Sequence, residues 1–260
     1  MSLGSNPTRP AVYTFWLCNP GSEVRMRSQV PILLLATAAV LPPGLPAQAD
    51  AQTVTLDEGV FRVFVGGREA GTERFSIRQT GTGASAIVIA QGRIVLEAGG
   101  QELATDLQAS GPALRPTAYQ VQVRGQQSQR IAARLVGGRF SATIVSPAGE
   151  MMREYLASDG AVILDEDVAH QHYFLARRVN GGASRLSVII PRENRQLSAE
   201  VTTAGSEAIE IGGQRVQARH LVVRLAGGPE RHLWADDQAR VLRLEIPARS
   251  YRAERTSLPR

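Results

Sequence analysis

The feature that most constrains this chain is alternation closed by glycine. Val60-Phe61-Arg62-Val63-Phe64-Val65 stops at Gly66-Gly67, and a second run follows from Thr72 through Phe75 and Ile77. A period of two places one set of side chains on each face of a strand. Glycine supplies the positive φ that tight hairpin turns require. The two runs therefore read as a hairpin across residues 66–71. The unit recurs. Segments 86–89 and 93–97 flank Gly92, and 102–108 leads to Gly111-Pro112. Segment 117–123 sets Tyr119, Val121 and Val123 on one face against Gln120 and Gln122 on the other. Segments 130–136, 140–145 and 151–156 continue the scheme, and 186–190, 198–203, 208–211, 216–225, 232–235, 241–246 and 251–256 repeat it. The spacing predicts a mainly β chain, a curved antiparallel sheet or half-barrel of roughly 14 strands. No fixed-length repeat is present beyond the hairpin, which disfavours a solenoid or propeller.

One segment breaks the alternation. Residues 165–180 read as a helix, with Asp165 as N-cap, Glu166 and Asp167 at its positive start, Arg177 and Arg178 at its negative end, and Asn180-Gly181 as the stop. Val168, His172, Leu175 and Val179 then share one stripe, and His170 points elsewhere. This helix divides the strands into two sets, which it is placed to plug as two halves of one sheet.

The strands are preceded by an address. Met26-Arg27 forms a short basic head, 30–40 is an apolar run, and small residues follow at Ala47, Ala49 and Ala51. That is the layout of a secretory signal peptide. Two cuts fit, after Ala49 or after Ala51, and the earlier is preferred. The apolar run is too short for the roughly 18 to 20 residues of a spanning helix, so the expected product is not membrane-spanning. Residues 1–25 read as an upstream extension before the true start at Met26, 26–49 as the signal, and 50–260 as one β-rich domain with a periplasmic or secreted location. Removing the first 49 residues takes out three arginines, one glutamate and Cys18, the single cysteine. The net charge falls from +5 to +3. The domain then has no disulfide, no thiolate chemistry and no cysteine zinc site. Every basic residue is arginine, so a Schiff base or a P-loop lysine is excluded. No basic run exceeds Arg177-Arg178, which argues against nucleic acid as a partner.

Motifs for chemistry are sparse. Ser85 lacks the second glycine of a nucleophile elbow. Gly81-Thr82-Gly83 is a polar turn, not a dinucleotide fingerprint. No catalytic residue and no cofactor is assigned. His170 and His172 would chelate on a strand but diverge by about 200° on a helix. No ligand spacing predicts a metal centre; His170, His220 and His232 are the only candidates for one. Asp165-Glu166-Asp167 lacks the repeat of a calcium loop and is explained as a helix start. His172, Tyr173 and Trp234 are the candidate ligand contacts, with Trp234 otherwise a sheet anchor.

The run Phe61-Arg62-Val63-Phe64-Val65-Gly66-Gly67-Arg68-Glu69-Ala70-Gly71-Thr72-Glu73 resembles the opening of exported bacterial β-proteins of unknown function. Leu233-Trp234-Ala235-Asp236-Asp237-Gln238-Ala239-Arg240-Val241-Leu242-Arg243-Leu244-Glu245 resembles their end. The order of elements is similar over most of 54–257. Such families are similar in architecture to the curved sheets of the LolA and LolB lipoprotein carriers. The resemblance implies no catalytic residues. The helix with one apolar stripe beside many strands suggests a non-enzymatic envelope protein, with a lipid or other apolar ligand, or a lipoprotein, held between sheet and helix. An envelope assembly or interaction factor without a ligand is the alternative. A metal-dependent hydrolase using His170, His220 and His232 is the third reading.

Overall fold

The computed structural model describes residues 53–97, 99–157, 160–179 and 183–260. The upstream extension, the signal segment, its cleavage sites and Cys18 lie outside the described residues, as does the expected helix stop at Asn180-Gly181.

The described chain is a meander. Strands β1 (Thr53–Val65), β2 (Arg68–Thr80), β3 (Ile87–Leu96), β4 (Gln101–Ser110), β5 (Arg115–Arg124), β6 (Gln129–Val136), β7 (Arg139–Ser146) and β8 (Gly149–Leu156) come first. After β9 (Val162–Ile163) and the helix α1 (His172–Ala176) come β10 (Ala183–Ile190), β11 (Arg195–Ile211), β12 (Gln214–Leu225), β13 (Arg231–Ala235), β14 (Val241–Ile246) and β15 (Tyr251–Arg255). All 15 strands belong to one sheet, ordered 8-7-6-5-4-3-2-1-15-14-13-12-11-10-9. The N-terminal and C-terminal sets meet where β1 pairs with β15. Each pair is antiparallel except β9 with β10.

The hairpins follow the glycines, with local refinements. β1 turns into β2 through Gly66-Gly67 alone, both at positive φ, and the rest of the expected loop is strand. A register shift between Val63 and Phe64 absorbs the extra residue. Gly71 is fixed by close approach, since a Cβ there would lie 1.9 Å from the Val95 carbonyl oxygen. Segments 198–203 and 208–211 are one strand, β11, with a register shift between Thr203 and Gly205.

The helix expected over 165–180 is confined to five residues, His172–Ala176. Asp165 does not cap it; Gln171 precedes it and makes no side-chain cap. The reason is tertiary. Nearly all of 161–179 is buried, without the solvated face that an amphipathic helix needs. The segment touches Glu73 and Phe75 on β2, Tyr119 on β5, Arg219 on β12 and Arg231 on β13. Contacts with strands so far apart in the sheet order require the sheet to curl around it. Side chains of those strands satisfy its backbone, which removes the need for helical hydrogen bonds.

Ile163, Leu164, Val168, Phe174 and Leu175 of this plug are fully buried and belong to the main apolar core. At about 1.5–3 kcal/mol for each large apolar side chain, five contribute on the order of 10 kcal/mol, an upper figure. That rivals the whole stability of a domain, so the segment is core and not a lid. A smaller apolar cluster, Ile209, Ile211, Ala218, Trp234 and Leu242, packs separately.

The outermost strand β8 is joined by side chains to the start of β11, third from the other end of the sheet, and to the turn before it. Gln196 at the start of β11 accepts from the Leu156 N–H at 2.9 Å and donates to the Leu156 carbonyl at 2.8 Å. Tyr155 donates to Asn194 Oδ1 at 3.2 Å.

Candidate functional site

Three polar features stand out: the anchorage of the plug, a histidine–tryptophan cluster, and the free edge of β8.

The plug is anchored by charged residues in the apolar phase of strands. Glu73 alternates with Phe75 and Ile77 and is fully buried. Its carboxylate accepts from the Ala169 and His170 backbone N–H groups, each at 2.8 Å, and meets His170 Nδ1 at 2.7 Å. The His170 ring stacks on Phe75 at 5.6 Å. A Cβ at position 92 would fall 2.4 Å from His170 Cε1, so Gly92 makes room for the ring. Both members of this carboxylate–imidazole pair are sealed from solvent, which keeps them from any substrate.

The tip of the plug is acidic. Asp165 accepts from the Tyr119 hydroxyl at 2.7 Å and from two backbone N–H groups, those of Glu166 and Arg192. Burial is the main cause that lifts its pKa from 3.8 to about 6, opposed by Arg192. Glu166 is gripped by Arg231 at 2.6 Å and by Arg249, and Arg249 also donates to Asp167 at 2.7 Å. Asp167 takes a left-handed φ of 62°. A cleft of ≈ 540 Å³ opens beside this tip, lined by Gln127, Ser146, Asp167, Arg192 and Arg249 among others. A second, of ≈ 640 Å³, lies against Thr55, Asp57, Arg74 and Arg260. Both have mixed polar walls. The elongated apolar space expected between sheet and helix is occupied by the plug itself.

The expected ligand contacts do not converge. His172 is buried, with Nδ1 donating to the Ala169 carbonyl at 3.2 Å and Nε2 accepting from Arg231 at 3.3 Å. Burial, then the Arg231 charge, lowers its pKa from 6.5 to about 3, so the ring is neutral. Tyr173 is buried edge-on against Phe174 at 5.7 Å. Trp234 belongs to the smaller cluster and is a sheet anchor, covered by Arg243 at 5.7 Å.

The candidate metal ligands also separate. His170 is enclosed with Glu73, whereas His220 and His232 meet at 3.0 Å, Nε2 to Nδ1. Glu207 faces His220 Nδ1 at 2.7 Å, and Trp234 Nε1 donates to Glu207 at 3.0 Å. That tryptophan bond, then the His220 bond, lowers the Glu207 pKa. His220 stacks on Trp234 at 4.5 Å and 7°. Among the described residues, no three His, Cys, Asp or Glu side chains group so as to hold a metal ion. None of the described helices is long and apolar enough to cross a membrane.

The third feature is β8. Leu156 directs its N–H and C=O toward Gln196 and away from β7, and by alternation Glu150, Met152 and Glu154 do the same. Met152 is 66% exposed and Leu156 62%.

Glu73, Arg231 and Gln196 were not read as functional from the sequence. For Glu73 and Arg231 a signal exists: a charge standing in the apolar phase of a strand. Gln196 carries no such mark.

No family model matches the chain, and no curated protein matches it. Two solved structures are similar to it. One is a β-barrel-like protein of domain of unknown function DUF1849 from Brucella abortus, 9% identical, with a TM-score of 0.48, covering 78% of this chain and 97% of that one. The other is a DUF1089 family protein from Pseudomonas aeruginosa, 16% identical, with a TM-score of 0.43, covering 68% and 90%.

Proposed function

We propose that the protein is a non-enzymatic interaction module exported to the cell envelope, which receives an extended segment of a partner protein along the free edge of β8. The unpaired edge carries this reading. The N–H and C=O groups of Glu150, Met152 and Glu154 point outward with no strand beside them in the described sheet, the Met152 carbonyl accepting from the Arg153 side chain at 3.3 Å. Strand addition to such an edge uses main-chain bonds for affinity and alternate side chains for specificity. The Gln196 amide already occupies the Leu156 position as a peptide group would, so this edge accepts amide pairing. Exposed Met152 and Leu156 share a row, and unbranched methionine adapts to varied partners. Proline, lysine and bulges commonly blunt edge strands; β8 has none of them. Glu150 and Glu154 lie in the same row, which suits a partner strand carrying arginine or lysine beside apolar residues.

Export rests on the signal layout of residues 26–49. The carrier reading asks for an open interior, and the buried segment 161–179 takes up that space. The test is a photo-crosslinking side chain at position 152, introduced in cells. It is expected to yield one discrete adduct with an envelope protein. A Glu154→Pro change removes an outward N–H that β7 does not use, so it should abolish the adduct and leave the unfolding temperature unchanged. An adduct of undiminished yield in the proline variant would count against edge pairing.

A further inference from the structure

β11 and β12 run on past the strands beside them. In the described sheet β11 pairs with β10 only as far as Thr202, and β12 pairs with β13 only from Arg219 on. Beyond those points the two strands pair with each other alone, out to Ile211 with Gln214. Residues 204–217 are thus a two-stranded ribbon, which is marginally stable at best unless it packs on something. Its seat is the side of β13 turned away from the main core. Leu233 and Ala235 belong to that core, and Trp234 between them faces the other way. Ile209 and Ile211 of the ribbon pack there with Trp234, Leu242 of β14 and Leu258. The tip reaches farther. A Cβ on Gly212 would lie 2.6 Å from the carbonyl oxygen of Thr256, the residue after β15. β13 and β14 stand between β12 and β15 in the sheet order, so the ribbon arches back across both.

We propose that this ribbon is a strap, which lifts off β13 and β14 while the rest of the sheet stays folded, turning at Gly205 and latched by Glu207. Its hold is slight. Of residues 204–217 only Ile209 and Ile211 are buried, and segments with few buried apolar contacts open at low cost. Its neck is free to turn. Residues 203–208 are exposed on both faces of the strand, and the ladder shifts register between Thr203 and Gly205. Gly205 takes a φ of 136°, with nothing within 4 Å of the place a Cβ would occupy. The latch lies just past the neck. Glu207 accepts from Trp234 Nε1 at 3.0 Å and from His220 Nδ1 at 2.7 Å, both on the part of the sheet that stays behind. A further bond, from Arg243 to the Glu210 carbonyl at 3.3 Å, is exposed. Lifting bares Trp234 and Leu242. It also withdraws the tip from Ser257, which with Leu258 lines the cleft of ≈ 640 Å³. The strap stands independently of the β8 edge.

The test is hydrogen exchange followed by NMR on the full chain, each end of the strap being read while the other is perturbed. Gly212→Asn drives a Cβ against the Thr256 carbonyl, and asparagine tolerates the left-handed φ of this turn. It should speed exchange of the Trp234 indole N–H, at the latch, about threefold or more. A Trp16→Phe background leaves that indole as the single one in the chain. Glu207→Ala should speed, by a similar factor, the amides that bond across the ribbon near its tip, because an unseated two-stranded ribbon melts. Gly213→Asn places its Cβ in open space and should change neither reading. Amides of β5 should stay slow throughout. Acceleration confined to the substituted end would overturn the proposal, and so would ribbon amides that exchange in wild type only together with β5. Should Glu207→Ala misfold, the two asparagine variants decide alone: equal indole exchange in both refutes the strap.

Discussion

Glu73 is the point at which the sheet holds its plug, and its removal has a calculable cost. Three donors, the Ala169 and His170 N–H groups and the His170 ring, converge on one carboxylate that no solvent reaches. Glu73→Ala leaves all three unmatched. A buried unsatisfied donor costs about 1–3 kcal/mol, and three are left here. The terms overlap, so the expected loss is about 4 kcal/mol. Glu73→Gln keeps one acceptor oxygen but turns an amide donor toward donors, for a loss of about 2–3 kcal/mol. Glu154→Gln, at a 56% exposed side chain, is the control and should stay within about 0.5 kcal/mol. Urea unfolding at pH 7 gives these differences from the shift in midpoint at constant slope. Amide exchange gives their location: residues 169 and 170 should lose protection first. A loss below about 1 kcal/mol for Glu73→Ala, or unchanged exchange at 169 and 170, would refute the anchoring role.

Further outcomes follow from the same geometry. Between pH 3.8 and about 6, folded Asp165 holds a proton that the unfolded chain has released, so its stabilisation is present in acid and is lost as pH rises. Folded His172 refuses a proton that the unfolded chain takes up between pH 6.5 and about 3, so its contribution is lost as pH falls. The two slopes oppose each other, and His172→Gln should make the protein gain stability on acidification relative to wild type, by about 1.4 kcal/mol per pH unit below 6.5 in urea midpoints; a parallel pH profile would refute this. Gly71→Ala drives a Cβ into the Val95 carbonyl and should cost about 3 kcal/mol or more in thermal or urea unfolding. Gln196→Ala removes both bonds to Leu156 and should cost about 1–2 kcal/mol, with faster exchange of the Leu156 amide as its signature.

The strands were legible because each repeats a local rule. Tyr119, Val121 and Val123 alternate inward, and Gly66-Gly67 and Gly137-Gly138 supply the positive φ of their turns. The helix at 165–180 was misjudged because its signals, an acidic start and a basic end, are surface signals, and this segment has almost no surface. Asp165, Arg178 and Arg231 bond to groups dozens of residues away, which no local pattern encodes. β9 escaped notice because two residues are too short for any period. Of the candidate site, His220 and His232 were named, but their pairing depends on the β12–β13 register, and His170 was grouped with them wrongly.

The most direct test of this account is hydrogen exchange, followed by mass spectrometry, on peptides covering residues 161–179. A plug that is core should exchange as slowly as β2 and β5, and only on global unfolding. Exchange within minutes, while those strands stay protected, would mean that the segment swings out of the sheet. An emptied interior would then return the protein to the carrier class.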